Sequence, residues 1–287
     1  KDQILSVTVN SATGYSSSLI NAGQLTNRGI ELSLTGTPIM TKDVEWNLTL
    51  NYARTKTIVD KITDKQTNAI YQTSTFFGNT LNLREGQEWG YVLGRKFNRD
   101  ANGNMIINAS GFPTFTTAQF IGYARPKYTG GAFSSLRVKN FDLGISLDYQ
   151  KGGLFNSTTR AFNMGSGLSQ ETVGVNDKGI DWRLSPSAGG GYKFPGVLAS
   201  GAPNTRYVEA SDAFYTGMQN GAGEMFMIDA SYLKLREVRL GYSLPRTFLA
   251  SNLKGVSAVN VAFTVGNAFT VTPRVTVVTQ PLPLVTA

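Results

Sequence analysis

Three short stretches combine residue types that could do chemistry. In RDANGNM, Asp100, Asn102 and Asn104 surround Gly103 in the Asp-x-Asn-Gly opening of a calcium loop, where alternate side-chain oxygens converge on one hard cation. The Glu that completes such a loop is missing, and Asn-Gly is also the strongest short hairpin signal, so a hairpin turn competes with the metal site. In SYLK, Ser231 and Lys234 have the Ser-x-x-Lys spacing of penicillin-binding enzymes, in which one helical turn brings the amine to the hydroxyl. On a strand, residues three apart point to opposite faces, which disarms the pair. GSGLSQ, 165 to 170, has two glycines of a dinucleotide fingerprint but neither the third nor a βαβ context. The chain has no Cys and no His, so it lacks a thiolate or imidazole to attack a substrate or hold a metal. No catalytic or cofactor-binding residue emerges, and an enzyme is the weakest reading. Asp100, Asn102 and Asn104 are the metal candidates, calcium the one conceivable cofactor, and no substrate-binding residue is assigned. The aromatics Phe76, Phe77, Tyr192, Phe194 and Tyr215 either stack on sugar rings or pack loops together.

The elements that carry these stretches read as strands. In VEWNLTLNYARTK, Val44, Trp46, Leu48, Leu50 and Tyr52 alternate with Glu45, Asn47, Thr49 and Asn51. In FDLGISLDYQ, Phe141, Leu143, Ile145, Leu147 and Tyr149 alternate with Asp142, Gly144, Ser146, Asp148 and Gln150, and VNVAFTVGNAF repeats the pattern. In SYLKLREVRLGYSL the phase slips between Leu235 and Val238, which predicts a β-bulge near Arg236 and Glu237. The predicted spans are 5–9, 30–37, 44–56, 128–137, 141–151, 231–244 and 257–270. Thirty-one Gly, 12 Tyr and 16 Phe in 287 residues suit turns and half-buried strands better than helices. The net charge of +8 is dispersed without a dense basic run, so nucleic acid is not an expected partner. No run of 18 apolar residues occurs, hence no transmembrane helix is predicted. Lys1 leads straight into strand-like sequence, so a mature or internal start is expected.

Connections alternate short and long. Residues 36–43, 139–140 and 245–255 are short, whereas 10–28, 57–127 and 152–228 are long and rich in Gly, Ser, Asn and Thr. Several long connections are unusual in a soluble sandwich. An outer-membrane barrel has them systematically, with tight turns at the periplasmic rim and large loops outside. Phe141 and Tyr149 lie about 26 Å apart along a strand, or about 20 Å along the membrane normal at a 40° tilt, close to the spacing of two aromatic girdles. The opposite face carries Glu45, Asp142 and Asp148, as a wet lumen would.

NAGQLTNRGIELSLTGTPI, VEWNLTLNYARTK, YTGGAFSSLRVKNFDLGISLDYQKGGLFN and DASYLKLREVRLGYSLPRTFL with VAFTVGNAFT resemble successive barrel segments of the SusC/RagA group of TonB-dependent outer-membrane transporters. The likeness spans roughly Gln3 to Thr270. It implies an all-β fold, namely the carboxyl-terminal part of an antiparallel transmembrane β-barrel of 22 strands. It also implies residence in the outer membrane, contact with its lipid, a SusD-like surface lipoprotein lid, and import of an oligosaccharide or peptide with force from the TonB complex. Nothing in the chain resembles the plug domain through which TonB acts. The expected organisation is therefore barrel over 1–270 and an unassigned tail over 271–287, in which Pro281 and Pro283 remove ladder donors and no terminal aromatic appears. Seven spans leave one unpartnered, so the chain is expected to need further strands to close. A passive porin shares this pattern, and a soluble all-β carbohydrate-binding or adhesive module is the third possibility.

Overall fold

The computed structural model describes residues 4–8, 12, 14–15, 17–21, 23–62, 70–76, 78–221, 223–253 and 255–272. The chain opens with β1 (Ile4–Thr8) and β2 (Ser17–Asn21), which pair antiparallel as a separate hairpin. The wall begins with β3 (Gln24–Met40) and β4 (Val44–Lys61). The first long connection contains β5 (Ile70–Phe76), β6 (Asn79–Arg84), β7 (Tyr91–Phe97), β8 (Ile106–Ile107) and β9 (Phe115–Tyr123). The wall resumes with β10 (Pro126–Val138) and β11 (Phe141–Gly152). The second long connection holds β12 (Leu154–Asn156), α1 (Thr158–Gly165), β13 (Val197–Leu198), α2 (Ala210–Asp212), a π turn at Ala213–Gln219, and β14 (Met227–Asp229). The last wall strands are β15 (Tyr232–Ser243) and β16 (Asn260–Val271), separated by α3 (Arg246–Asn252).

Six strands form one antiparallel sheet in the order β3-β4-β10-β11-β15-β16, an up-and-down meander and an open segment of barrel wall. Register makes the two faces explicit. Gly36, Leu48, Ser134, Ile145, Val238 and Val265 share one cross-strand row, and the adjacent row on the other face is Thr35, Thr49, Phe133, Ser146, Glu237 and Gly266. The apolar and polar rows thus run through the wall, with Ser134 and Phe133 of β10 exchanged between them. Aromatics stand at both ends of the apolar face. Phe141 and Tyr242 meet at 4.7 Å at one end, while Tyr128 lies 5.9 Å from Tyr52 and 6.2 Å from Tyr149 at the other. Trp46 on this face donates its indole N–H to Ser134 Oγ at 2.9 Å, which gives both polar groups a partner within the sheet.

The predicted bulge is present: Ser146 pairs with Glu237 and Leu147 with Leu235, leaving Arg236 unpaired and both halves of β15 on one face. Three expectations need correction. Residues 5–9 were expected as the first span of the wall, but β1 pairs with β2, a serine-rich strand whose alternation is too weak to read. The second span was expected at 30–37 with a turn over 36–43; the corresponding strand, β3, runs to Met40 because a bulge between Gly36 and Ile39 takes up Pro38, whose missing N–H is harmless there. The long connections are not structureless. They meet at one rim, since each joins an ascending strand to a descending one, and they pack into a cap.

The cap contains a four-stranded sheet, β5-β6-β7-β9, and two small ladders, β8 with β13 and β12 with β14. Its core draws on both connections: Phe97, Met105 and Ile107 from the first pack with Met164, Phe194, Phe214, Met218 and Phe226 from the second. The strands of the cap were hard to read because bulges interrupt β7 and β9, between Val92 and Leu93 and between Gly94 and Lys96.

Candidate functional site

The polar face of the wall and the cap above it carry the charged and aromatic candidate residues. On the polar face, charges are matched across strands. Arg137 pairs with Glu45, Arg239 with Asp142 at 2.9 Å and Arg236 with Asp148 at 2.6 Å. The first pair bridges β4 and β10, the other two β11 and β15, so each also locks register. These pairs are half exposed, so each is worth at most about 1 kcal/mol and serves position more than stability. Phe133 is the large apolar residue in this field, between Thr49 and Ser146 and 47% exposed.

In the cap, the aromatic candidates divide. Phe194 is 1% exposed, and Tyr192 lies 5.0 Å from it, 5.2 Å from Trp182 and 5.3 Å from Phe214. Burial pushes the Tyr192 hydroxyl up to about 12. Phe194 is a core residue, and Tyr192 is partly buried against that core. Tyr215 is exposed; the Phe76 side chain and Phe77 lie outside the described residues.

Asp100 sits at the head of a tight turn closed by the bridge between Arg99 and Met105, with Gly103 at a φ of 85°. Its Oδ1 accepts the backbone N–H groups of Asn102 and Asn104, and its Oδ2 accepts Asn104 Nδ2 at 2.9 Å. The Asn104 side chain, followed by burial acting the opposite way and backbone donors, holds the carboxyl below its ordinary value. The hairpin expected from Asn-Gly is therefore present, and both carboxylate oxygens are engaged within it. Ser231 and Lys234 do not form a catalytic pair: the Ser231 hydroxyl donates to Asp229 and accepts from the Gly152 N–H, while Lys234 is in register with Asp148. Gly165 is the last residue of α1 and Ser166 its cap, and only a 3-10 turn of three residues starts at Gln170, so this stretch does not lead from a strand into a helix.

Sequence reasoning missed Glu224, which is 2% exposed in a short 3-10 turn and accepts the Phe97 N–H at 2.9 Å. Burial raises its carboxyl above the usual range, opposed by that N–H and by Arg99 and Lys96 nearby. It ties the second connection to β7 at the centre of the cap. Arg95 does the same at the surface, donating to the Asn220 carbonyl and lying 5.6 Å over the Phe115 ring. No local pattern announces either residue, since the hydrogen-bond partners, Phe97 for Glu224 and Asn220 for Arg95, are 127 and 125 positions away.

No protein-family model matches the chain. Among curated proteins it is 25% identical to TonB-dependent receptor P3 of Formosa agariphila over 283 residues, covering 91% of this chain and 26% of that protein. It is also 25% identical to TonB-dependent receptor SusC of Bacteroides thetaiotaomicron over 282 residues, covering 93% and 25%. The chain thus spans about a quarter of the length of these relatives. Among solved structures, the RagAB peptide importer in its closed-closed state superposes with a TM-score of 0.62 at 18% identity, over 95% of this chain and 29% of that one. Its open-open state gives 0.62 at 18% identity, over 96% and 28%. The resemblance read from the sequence is borne out, and the fold of the wall is similar to a segment of the barrel in these transporters.

Proposed function

We propose that this chain, a segment of SusC/RagA-type barrel wall with its loop cap, serves a TonB-dependent receptor that imports a nutrient across the outer membrane. The observation that carries the reading is the pairing of a two-faced wall with a cap at one rim. The apolar face, bounded by aromatics at both ends, suits lipid; the opposite face, with matched Arg–carboxylate pairs, suits water. The cap rises from the rim with the long connections, which in such barrels is the extracellular one. It is well placed to meet a surface lipoprotein lid of the SusD type and an oligosaccharide or peptide before either reaches the lumen. The solved neighbours are described as a peptide importer and one curated relative is SusC, so both substrate classes remain in play.

Two measurements test the reading. An epitope at Ser187 should be accessible to antibody on intact cells and one at Lys42 silent; the reverse would overturn the topology. Uptake of labelled oligosaccharide or peptide by cells carrying the intact receptor should stop when the proton motive force is collapsed. Uptake that continues would favour a passive porin.

A further inference from the structure

The cations of the wall fall into two populations. On the polar face, Arg137, Arg236 and Arg239 each face a carboxylate, and Lys234 is in register with Asp148 with its amine 5.7 Å over the Tyr232 ring. On the apolar face, immediately beyond the Tyr52, Tyr128 and Tyr149 girdle, stand Arg28, Arg54, Lys56 and Lys151. Parity and register put them there: Arg54 and Lys56 follow Tyr52 at even positions of β4, Arg28 is directly opposite Lys56, Ile30 is opposite Arg54, and Lys151 follows Tyr149 opposite Tyr128. All four are exposed, and among the described residues none of their side chains has a hydrogen bond or ion pair. Arg28 and Lys56 are like charges in direct cross-strand register, an arrangement that destabilises a sheet unless an anion lies between them. Glu31, the nearest carboxylate along β3, belongs to the opposite face, opposite Ala53, and Asp60 accepts the Thr26 hydroxyl.

Height adds the second constraint. Arg54 lies two residues beyond Tyr52 and Lys56 four, or about 5 and 10 Å along the normal at a 40° tilt. Aromatic belts sit at headgroup level, so this is the depth of lipid phosphates. Arg guanidinium offers a bidentate fork to phosphate and Lys a point charge. We infer that Arg28, Arg54 and Lys56, with Lys151 alongside, bind phosphate groups on the headgroups of extracellular-leaflet lipid, fixing the depth of the wall at the rim that bears the cap. The inference rests on the outer-membrane reading above.

The test uses the intact receptor in nanodiscs of phosphatidylcholine, titrated with diphosphoryl lipid A and followed by native mass spectrometry. At about a factor of five per cation, replacing Arg28, Arg54 and Lys56 together by Gln should weaken lipid A binding roughly 100-fold. Lys42→Gln with Lys139→Gln, at the opposite rim, should leave it unchanged. Heat-modifiable mobility checks that each variant is folded. If the triple variant misassembles, single Lys56→Gln should still show its fivefold loss. Wild-type affinity in the variants, equal binding of lipid A stripped of its phosphates, or displacement by inorganic phosphate at similar concentration would each overturn the assignment to lipid headgroups. A wild-type receptor that does not insert at all would overturn the membrane reading and this inference with it, whereas insertion without phosphate preference sinks the inference alone.

Discussion

Replacing Ile145 by Arg sets the two faces of the wall against each other. Ile145 is four residues from Phe141 and four from Tyr149, the aromatics at the ends of its strand. At about 3.3 Å per residue and a tilt near 40°, it lies about 10 Å from either girdle, at the middle of the apolar band. An Arg at that depth costs about 2 to 4 kcal/mol, roughly a 30- to 900-fold loss in the folding equilibrium. Leu48 and Val238 occupy the same row and should carry the same penalty. Leu147, only about 5 Å from its girdle, should cost less. Ser146 is the adjacent residue, yet it faces the other way, in register with Phe133 and Glu237. Arg there should stay within about 0.5 kcal/mol of wild type, with Glu237 as a partner. The assay is refolding of the intact receptor into phosphatidylcholine vesicles over a urea series, scored by the heat-modifiable band. Equal penalties at Ile145 and Ser146, or no dependence on depth along β11, would refute the assignment of lipid and water to the two faces.

Other outcomes follow from the cap and the bulge. Phe194→Ala should remove about 3 to 5 kcal/mol from the cap through the cavity it leaves, whereas Tyr215→Ala should leave protease resistance intact; similar susceptibility in both would refute the division between core and surface. The raised carboxyl of Glu224 means that the folded cap holds this proton more tightly than the unfolded chain, so the group's stabilisation is complete below the ordinary carboxylate range and lost as pH rises through the raised value. Glu224→Gln should flatten that limb in a limited-proteolysis series, and an unchanged slope would reject the role of burial. Asp100→Ala should cost about 1 kcal/mol of turn stability with or without calcium; a calcium-dependent thermal shift lost in this variant would instead make Asp100, Asn102 and Asn104 ligands. Deleting Arg236 should leave the heat-modifiable band in place, because Leu235 and Glu237 already pair with the consecutive residues Leu147 and Ser146 and the Leu and Val side chains of β15 then alternate without a bulge; loss of the band would refute the reading of Arg236 as the residue that takes up the phase slip.

The wall was legible because its signal is local and repeated. The wall strands β4, β11 and β16 each state both of their faces within about ten residues, and the phase slip between Leu235 and Val238 placed the bulge near Arg236 and Glu237, of which Arg236 is the residue left unpaired. What failed lay where a strand carries its own exceptions. β3 passes through Pro38 by bulging, and β2 is built of Ser17, Ser18, Leu19, Ile20 and Asn21, which show no usable alternation. The cap was illegible for a different reason. Its strands are short and bulged, and its core is assembled from residues as far apart as Phe97 and Phe226, so no window of sequence contains both sides of the packing between the two connections.

The same division explains which charged residues could be understood from sequence. Glu45, Asp142 and Asp148 were assigned to the wet face by parity alone, and their Arg partners prove to be on neighbouring strands of that face. Parity works equally for Arg28, Arg54 and Lys56, but there it gives an answer that a lipid-facing position should not tolerate: cations, unpaired, on the apolar side. The contradiction dissolves only with height, since beyond the girdle the outward face no longer meets hydrocarbon but headgroups. A β-barrel strand therefore carries two codes along one chain, period two for lipid against lumen and distance from the aromatics for hydrocarbon against phosphate. Both must be read before an outward charge can be told from a misplaced one.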